Sequence, residues 1–383
     1  MINNKIIKIG IDASRNRSGG AKAHVIGLIS DGDPAFHGID EVHVWGFKSL
    51  LDSLPAKPWL FKHNPVELEE SLLKQILWQC FKLQKEAKLN EIDILFTTDA
   101  STFSSFSPMV VMSQDLIQYE PGMMKIYGWG KARLSNIMKL IVQNKAMRSA
   151  RGVIFLTKYS MNTVQKVTGI LKNKVVIPHG VGNLFKNTIH FPKENLSKQQ
   201  AIKCVYVSNT EMYKHQWNVV KAIAGLRKKG FPIQLILAGG GNGASREMLN
   251  NEILNSDPSK EFVKIVEFVT PQQMPALLSN SDISIFASSC ENLPVTLLES
   301  MAVGLPIASS NLGPMPEVLQ DGGVYFDPMD HASIELAIEE LIKNDDTRLQ
   351  KAKKAKQLAE SYSWTSCSNE TWNFLVKNIK TYE

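Results

Sequence analysis

Glu291 and Glu299 are two carboxylates eight residues apart in the stretch Cys290–Pro306, C-E-N-L-P-V-T-L-L-E-S-M-A-V-G-L-P. Such groups can hold hydroxyls, stabilise a developing cation or move a proton. Pro294 suits a first helical turn, where its missing N–H is not needed, and Gly304 followed by Pro306 ends a helix. The punctuation predicts a helix over roughly 294–303, with Glu291 in the loop before it and Glu299 in its middle.

The preceding run, D-I-S-I-F-A-S from Asp282 to Ser288, reads as a buried strand. In open α/β sheets the loop between a parallel strand's C-terminal end and the next helix is where ligands bind. The unpaired N–H groups of the first turn, with the helix dipole, favour an anion such as a phosphate. An acid beside an anion site is unfavourable unless it hydrogen-bonds something neutral and rich in hydroxyls. A sugar attached to a diphosphate meets both demands. Taken alone, however, two acids read first as a solvated helix residue and a loop acid.

The elements that must position them follow from the rest of the chain. At 383 residues it exceeds what one hydrophobic core usually serves, so two domains are expected. A hydrophobic content of 44% with 21% charged residues is that of a globular protein. No apolar run reaches the ~18 residues of a membrane span, and M-I-N-N-K-I-I-K-I-G-I-D reads as a strand rather than a signal peptide. Cys80, Cys204, Cys290 and Cys367 form no C-x-x-C pair, which suits a reducing cytosol and argues against a zinc site or disulfide frame. The net charge of +6 divides as +8 over residues 1–174 and −2 over the remainder, so the first half suits an anionic partner.

In chain order, Ile6–Ile11 is a strand, and Gly19-Gly20 separate it from a first helix. That junction is a tight turn or a loop allowing close approach of a phosphate, without the G-x-G-x-x-G dinucleotide fingerprint. Further strands are expected at 42–47, 93–96, 109–113, 152–157 and 174–178. A long helix pattern spans 66–89, with Leu73, Ile76, Leu77, Cys80 and Phe81 as a core stripe. Asp31-Gly32-Asp33 is read as a turn, and no metal is expected. From Lys125 to Arg148, six basic residues accompany Tyr127, Trp129, Leu134, Ile137, Met138 and Ile141. This is read as a surface helix with its apolar side on the sheet, or as one that also meets an anionic membrane surface. No nucleic-acid motif accompanies the charge. Residues 186–200 read as a polar linker, and strands restart at 202–208, 234–238 and 262–268. The implied architecture is α/β, two Rossmann-like doubly wound domains facing across a cleft: residues 1–185, with the terminal helix 366–383 packing back on them, and 186–365.

The stretch around the two acids resembles the E-x7-E element of the family 4 glycosyltransferases, retaining sugar-nucleotide enzymes of GT-B fold. The likeness runs through L-P-V-T-L-L-E-S-M-A-V-G-L-P-I-A-S-S to Gly313, Pro316, Glu317 and D-G-G-V-Y-F-D-P at 321–328. P-H-G-V-G-N-L-F at 178–185 resembles the family's end-of-domain signature, with His179 as a turn residue. The resemblance implies that Glu291 binds donor-sugar hydroxyls and stabilises an oxocarbenium-like transition state. Asn292, Leu293, Pro294, Val295 and Thr296 would line the sugar and phosphate, through backbone N–H groups and the Thr296 hydroxyl, and Glu299 would hold the ribose. Lys214 matches the family's phosphate-binding lysine, and Gly19, Gly20 and Gly240 would lie near the donor nucleotide. Val269 and the neighbouring Thr270 would contact the base through backbone groups. Two departures stand out: Ser208 and Asn209 occupy the place of a phosphate-binding arginine, and Gln114 that of a histidine, with Asp115 after it. Gln114, Asp115 and Arg15 form the expected acceptor side.

The implied activity is transfer of a sugar from a nucleotide-diphosphate donor to an acceptor hydroxyl, without cofactor or metal. The acceptor would be a saccharide or lipid-linked saccharide, in bacterial cell-surface polysaccharide or lipopolysaccharide synthesis. The setting would be cytoplasmic, with peripheral contact at the inner face of the membrane and no nucleic acid. The alternatives are a sugar-nucleotide epimerase of the same fold and a non-catalytic nucleotide-sugar-binding protein; the absent fingerprint disfavours a nicotinamide dehydrogenase.

Overall fold

The computed structural model describes residues 6–17, 19–126 and 128–380, and the chain divides into two compact units, Met1–Gly180 with Ser363–Glu383, and Val181–Tyr362. Tyr127 and residues 381–383, both part of the expectations above, lie outside the described residues.

In the first unit the described strands are β1 (Lys8–Ala13), β2 (Glu41–Gly46), β3 (Leu60–His63), β4 (Ile94–Thr97), β5 (Met109–Met112), β6 (Gly152–Phe155) and β7 (Lys174–Val176). They form one parallel sheet in the order β3-β2-β1-β4-β5-β6-β7. The central strands are buried along their length, as a parallel sheet covered on both faces requires. β3 is an edge strand whose residues are partly or fully exposed, and its lack of alternation hid it in the sequence.

The second unit repeats the plan with β8 (Ile202–Val207), β9 (Ile233–Ala238), β10 (Val263–Val266), β11 (Ile283–Phe286), β12 (Ile307–Ser310) and β13 (Val324–Phe326). Their order is β10-β9-β8-β11-β12-β13, again all parallel. Each sheet is doubly wound. Strand order reverses beside β1 in the first and beside β8 in the second, the two switch points at which such sheets take ligands.

The C-terminal helix Trp364–Lys380 belongs to the first unit. Gly27 makes room for it: a Cβ there would sit 2.2 Å from the Trp364 ring. Trp372 is fully buried, and the Ser368 hydroxyl donates to the Leu28 carbonyl at 2.8 Å.

Several expectations are corrected. The 66–89 pattern is three helices, Val66–Glu70, Leu72–Phe81 and Leu83–Leu89. Its apolar stripe is not core: Leu73 is 66% and Phe81 65% exposed, Leu77 is exposed as well, and Ile76 and Cys80 are half-buried. The face turned inward carries Gln75, Trp78 and Gln79, because polar partners await it. Gln75 donates to the Ser14 carbonyl, and Gln79 to Asp12 and to the Ser14 hydroxyl, each at 2.9 Å. The helix Lys131–Ser149 is inverted in the same way. It buries Gln143, Ala146 and Met147 and leaves Leu134, Met138 and Ile141 exposed. The expected linker 186–200 includes a short 3-10 turn, Leu196–Lys198, with Leu196 buried. Asp31-Gly32-Asp33 is a bend, and Asp33 accepts from the Ala35 N–H to start the next turn.

Candidate functional site

The second unit gathers its chemistry at the C-terminal ends of β8, β9, β10 and β11. The helix of the acidic pair runs Val295–Val303 and stops at Gly304, which is left-handed at φ 88°. A side chain there would be strained, so glycine fits the stop. Pro294 stands at the N-cap and no side chain caps the first turn, so the helix opens with its leading N–H groups uncapped by any side chain. This helix follows β11 through Ser288–Leu293, and Glu291 lies in that connection.

After β8 the chain makes a 3-10 turn, Met212–Lys214, followed by His215 in the left-handed region at φ 48°. The turn is bolted to the β11 side. The Ser289 N–H donates to the Tyr213 carbonyl at 2.8 Å, Ser289 Oγ and His215 Nε2 lie 2.9 Å apart, and the Tyr206 hydroxyl donates to the Lys214 carbonyl at 2.8 Å. The result is that Lys214 Nζ pairs with Glu291 Oε1, with side chains only 12% and 16% exposed. The ammonium also lies 5.6 Å from the Phe286 ring centre and 5.2 Å from that of Tyr213. β8 and β11 are neighbours in the sheet, so the pair sits at the switch point of this unit.

Glu299 stands on the same helix with no hydrogen bond or ion pair among the described residues. Burial pushes its carboxyl up to about 8. A carboxyl recessed in this way gains from a ligand that offers hydroxyl donors.

The glycines after β9 allow close approach. A Cβ on Gly239 (φ 139°) would meet the Ser208 carbonyl oxygen at 2.3 Å, and one on Gly241 would meet Thr210 at 2.5 Å. Thr210 N–H donates to the Gly240 carbonyl at 2.8 Å, which ties the β8 and β9 loops together. Val269 and Thr270 follow β10 and are half-buried. Ser208 is held by Gln216, whose amide donates to its hydroxyl at 2.9 Å and its carbonyl at 3.0 Å, whereas Asn209 is exposed. Sequence reasoning missed Gln216, which carries no motif and acts through a contact eight residues away. The Thr296 hydroxyl donates to the Val207 carbonyl at 3.1 Å, which joins helix and sheet. Asn292, Leu293 and Pro294 are buried beside Glu291 and Val295 is half-buried.

The other candidates belong to the first unit. Gly19, left-handed at φ 64°, and Gly20 open the helix Gly19–Ser30 just beyond β1. Arg15 follows the same strand, and its guanidinium acts on Asp12 and Asp99. Burial pushes both carboxyls up, and Arg15 pulls each down in turn. Gln114 follows β5, with its amide 3.1 Å from the Met112 sulfur. Asp115 accepts from the Gln118 amide at 3.0 Å and pairs with Lys139 at 3.5 Å. His179, read as a turn residue, is buried and stacks on His24 with ring centres 4.6 Å apart. Among the described residues no cluster of His, Cys, Asp and Glu could hold a metal ion.

Comparison with known proteins places these units. Residues 187–358 match the family model described as glycosyl transferases group 1. The chain is 27% identical over 112 residues to the O-antigen chain mannosyltransferase B of Escherichia coli, an alignment covering 29% of this chain and 29% of that protein. It superposes on sucrose-phosphate synthase from Thermosynechococcus elongatus with a TM-score of 0.78 at 15% identity, covering 98% of this chain and 100% of the other. With HepE of Anabaena, in a crystal structure with UDP and glucose, the TM-score is 0.72 at 18% identity, over 95% of this chain and 98% of the other. The fold is GT-B, two parallel sheets of seven and six strands with flanking helices.

Proposed function

We propose, from the premise that residues 187–358 form a glycosyl transferases group 1 domain, that the protein is a retaining glycosyltransferase of the family 4 kind. It moves a hexose from a nucleotide-diphosphate sugar to an acceptor hydroxyl. One observation carries the reading: Lys214, after β8, and Glu291, after β11, meet at the switch point of the second sheet. The two charges serve opposite ends of one substrate.

In this reading the donor diphosphate replaces Glu291 as the partner of the Lys214 ammonium and takes the leading N–H groups of the helix Val295–Val303. Glu291, released, accepts hydrogen bonds from sugar hydroxyls and faces the anomeric carbon. As the bond from that carbon to the diphosphate oxygen breaks, the electron pair leaves with the nucleotide diphosphate. Lys214 and the helix dipole stabilise the charge without metal, while Glu291 stabilises the cationic sugar. The acceptor oxygen then bonds to the same carbon with retention, and its proton ends on the diphosphate or in solvent. Glu299 accepts the ribose hydroxyls, and the loops of Asn209, Gly240 and Val269 lie along the nucleotide. The absent arginine leaves Lys214 as the cation on the phosphates, with Ser208 neutral and held by Gln216. Arg15, Gly19, Gly20, Gln114 and Asp115 of the first unit are assigned to the acceptor side and the diphosphate. The bacterial O-antigen relative supports a place in cell-surface polysaccharide or lipopolysaccharide synthesis.

A panel of nucleotide sugars tests this. A true donor at a hundred times its dissociation constant adds ~2.7 kcal/mol of stability, and with an acceptor it releases nucleotide diphosphate. Conversion of the donor sugar with no acceptor would indicate an epimerase, and binding without any turnover a non-catalytic protein; either outcome contradicts the proposal.

A further inference from the structure

Glu267 presents a tethered but open carboxylate beside the loops of the second unit. It follows β10, two residues before Val269, and its side chain is 60% exposed. Arg246, near the start of the helix Gly243–Ser256, holds it with two nitrogens: Nη1 donates to Oε2 at 3.3 Å and Nη2 donates to Oε1. The arginine side chain is only 17% exposed, and its Nε donates to Asn250 Oδ1 at 3.2 Å. Arg246 is thus committed to protein acceptors, so it does not replace the arginine whose place Ser208 and Asn209 occupy.

The pair lies against the glycine loop after β9. A Cβ on Gly240 would sit 3.3 Å from both the Glu267 carbonyl oxygen and its Oε2, so bare backbone borders the carboxylate there. The sheet order β10-β9-β8-β11 sets Glu267 two strands out from β8, whereas Lys214 and Glu291 meet between β8 and β11. At ~4.8 Å per strand, β10 stands roughly 10 Å from β8, the reach from a diphosphate across its ribose to the base. An acid at this distance is removed from the phosphate charge. It faces the neutral part of a nucleotide that carries N–H donors.

Hydrogen-bond chemistry then selects the base. An ionised carboxylate only accepts, and of its roughly four lone-pair sites the Arg246 fork takes two. A bidentate tether fixes the plane of the group, so the remaining sites face outward side by side. Guanine presents two adjacent donors on one edge, N1–H and the N2 amino group. Uracil sets its single N–H between two carbonyl oxygens, which a carboxylate repels. Adenine and cytosine each set an amino group beside a ring nitrogen that is itself an acceptor.

We infer, on the donor site proposed above, that Glu267 selects the base, held in place by Arg246, and that the donor is a guanosine-diphosphate sugar. The carboxylate accepts from guanine N1–H and N2–H, and the backbone at Val269 borders the same ring. A base without that pair of donors is rejected because one carboxylate oxygen is left against an acceptor.

The test is calorimetric titration of the full chain with GDP, UDP, ADP and CDP. GDP should bind about tenfold or more tightly than each of the others. Glu267→Ala should weaken GDP by about the same factor and leave UDP within about threefold. Glu267→Gln, which keeps the shape but replaces one acceptor with a donor, should weaken GDP as well. The position is exposed, so an unchanged melting temperature checks the fold of both variants. Three results would overturn the proposal: another nucleotide binding as tightly as GDP, a GDP preference unchanged in Glu267→Ala, or equal weakening of all four nucleotides. The last would put the carboxylate on the ribose or leave the ion pair a purely structural tie. Failure of all four to bind would contradict the donor site itself, and this assignment with it.

Discussion

Lys214 and Glu291, 77 residues apart in sequence, form a largely shielded ion pair where β8 and β11 run side by side. A pair held this far from water is stable only while both members are present. A ligand that supplies an anion to one and hydroxyls to the other exchanges each partner for another rather than leaving a charge bare. In the proposed reading, this lets the site be preformed without the donor and still open to it.

The lysine is therefore expected to dominate diphosphate binding. Lys214→Met should weaken nucleotide-diphosphate affinity by about tenfold to a hundredfold, the ~1.5–3 kcal/mol of a charge-assisted hydrogen bond. Calorimetric titration checks it. Affinity within threefold of the unsubstituted protein would show that the phosphates are held elsewhere.

Glu299 is predicted to trade stability for binding. Its folded-state carboxyl titrates at about 8, above the ordinary 4.5, because burial disfavours the charge. The unfolded chain therefore gives up this proton first as pH rises, and the native state loses stability between those two values. Glu299→Gln removes the penalty. It should melt higher than the unsubstituted protein at pH 8, by an amount equivalent to up to about 4 kcal/mol, and little differently at pH 4.5. Nucleotide affinity should fall. A melting difference independent of pH contradicts the assignment.

The stacked pair His24 and His179 predicts the acid limb. Burial holds the His24 ring down to about 3 and His179 well below its ordinary value. Neither has a hydrogen-bond partner among the described residues. The unfolded chain takes up protons as pH drops through the ordinary 6.5 while the native rings stay neutral, so stability is lost on acidification. His24→Phe should reduce the fall in melting temperature between pH 7 and pH 5. An unchanged fall would place the acid sensitivity in other groups.

Gly239 should resist substitution. With φ at 139° and the Ser208 carbonyl oxygen 2.3 Å from any Cβ, Gly239→Ala must displace backbone next to the β8 loop. A destabilisation of about 2 kcal/mol or more is expected in denaturant unfolding, with weaker nucleotide binding. Wild-type stability would mean that this loop relaxes freely.

Much of this was legible in the residues. Pro294 and Gly304 delimit the helix of the acidic pair to within a residue, because fixed φ and positive φ are properties of single residues. The restart of strands near 202 shows as well, since buried parallel strands are continuous apolar runs. What sequence could not show was which side of a helix faces in. The stripe at Leu73, Leu77 and Phe81 is correctly periodic but points outward, because Gln75 and Gln79 have partners at Ser14 and Asp12, more than sixty residues upstream. The same limit hid the Thr296 bond to Val207 and the role of Gln216, both set by contacts that only the sheet order creates.

The most direct test of the central claim is the turnover of Glu291→Ala with a donor and acceptor that the unsubstituted protein uses. A loss of at least a hundredfold in kcat is expected, about 2.7 kcal/mol of barrier, with nucleotide-diphosphate binding retained because Lys214 is intact. Turnover within tenfold of the unsubstituted protein would contradict it.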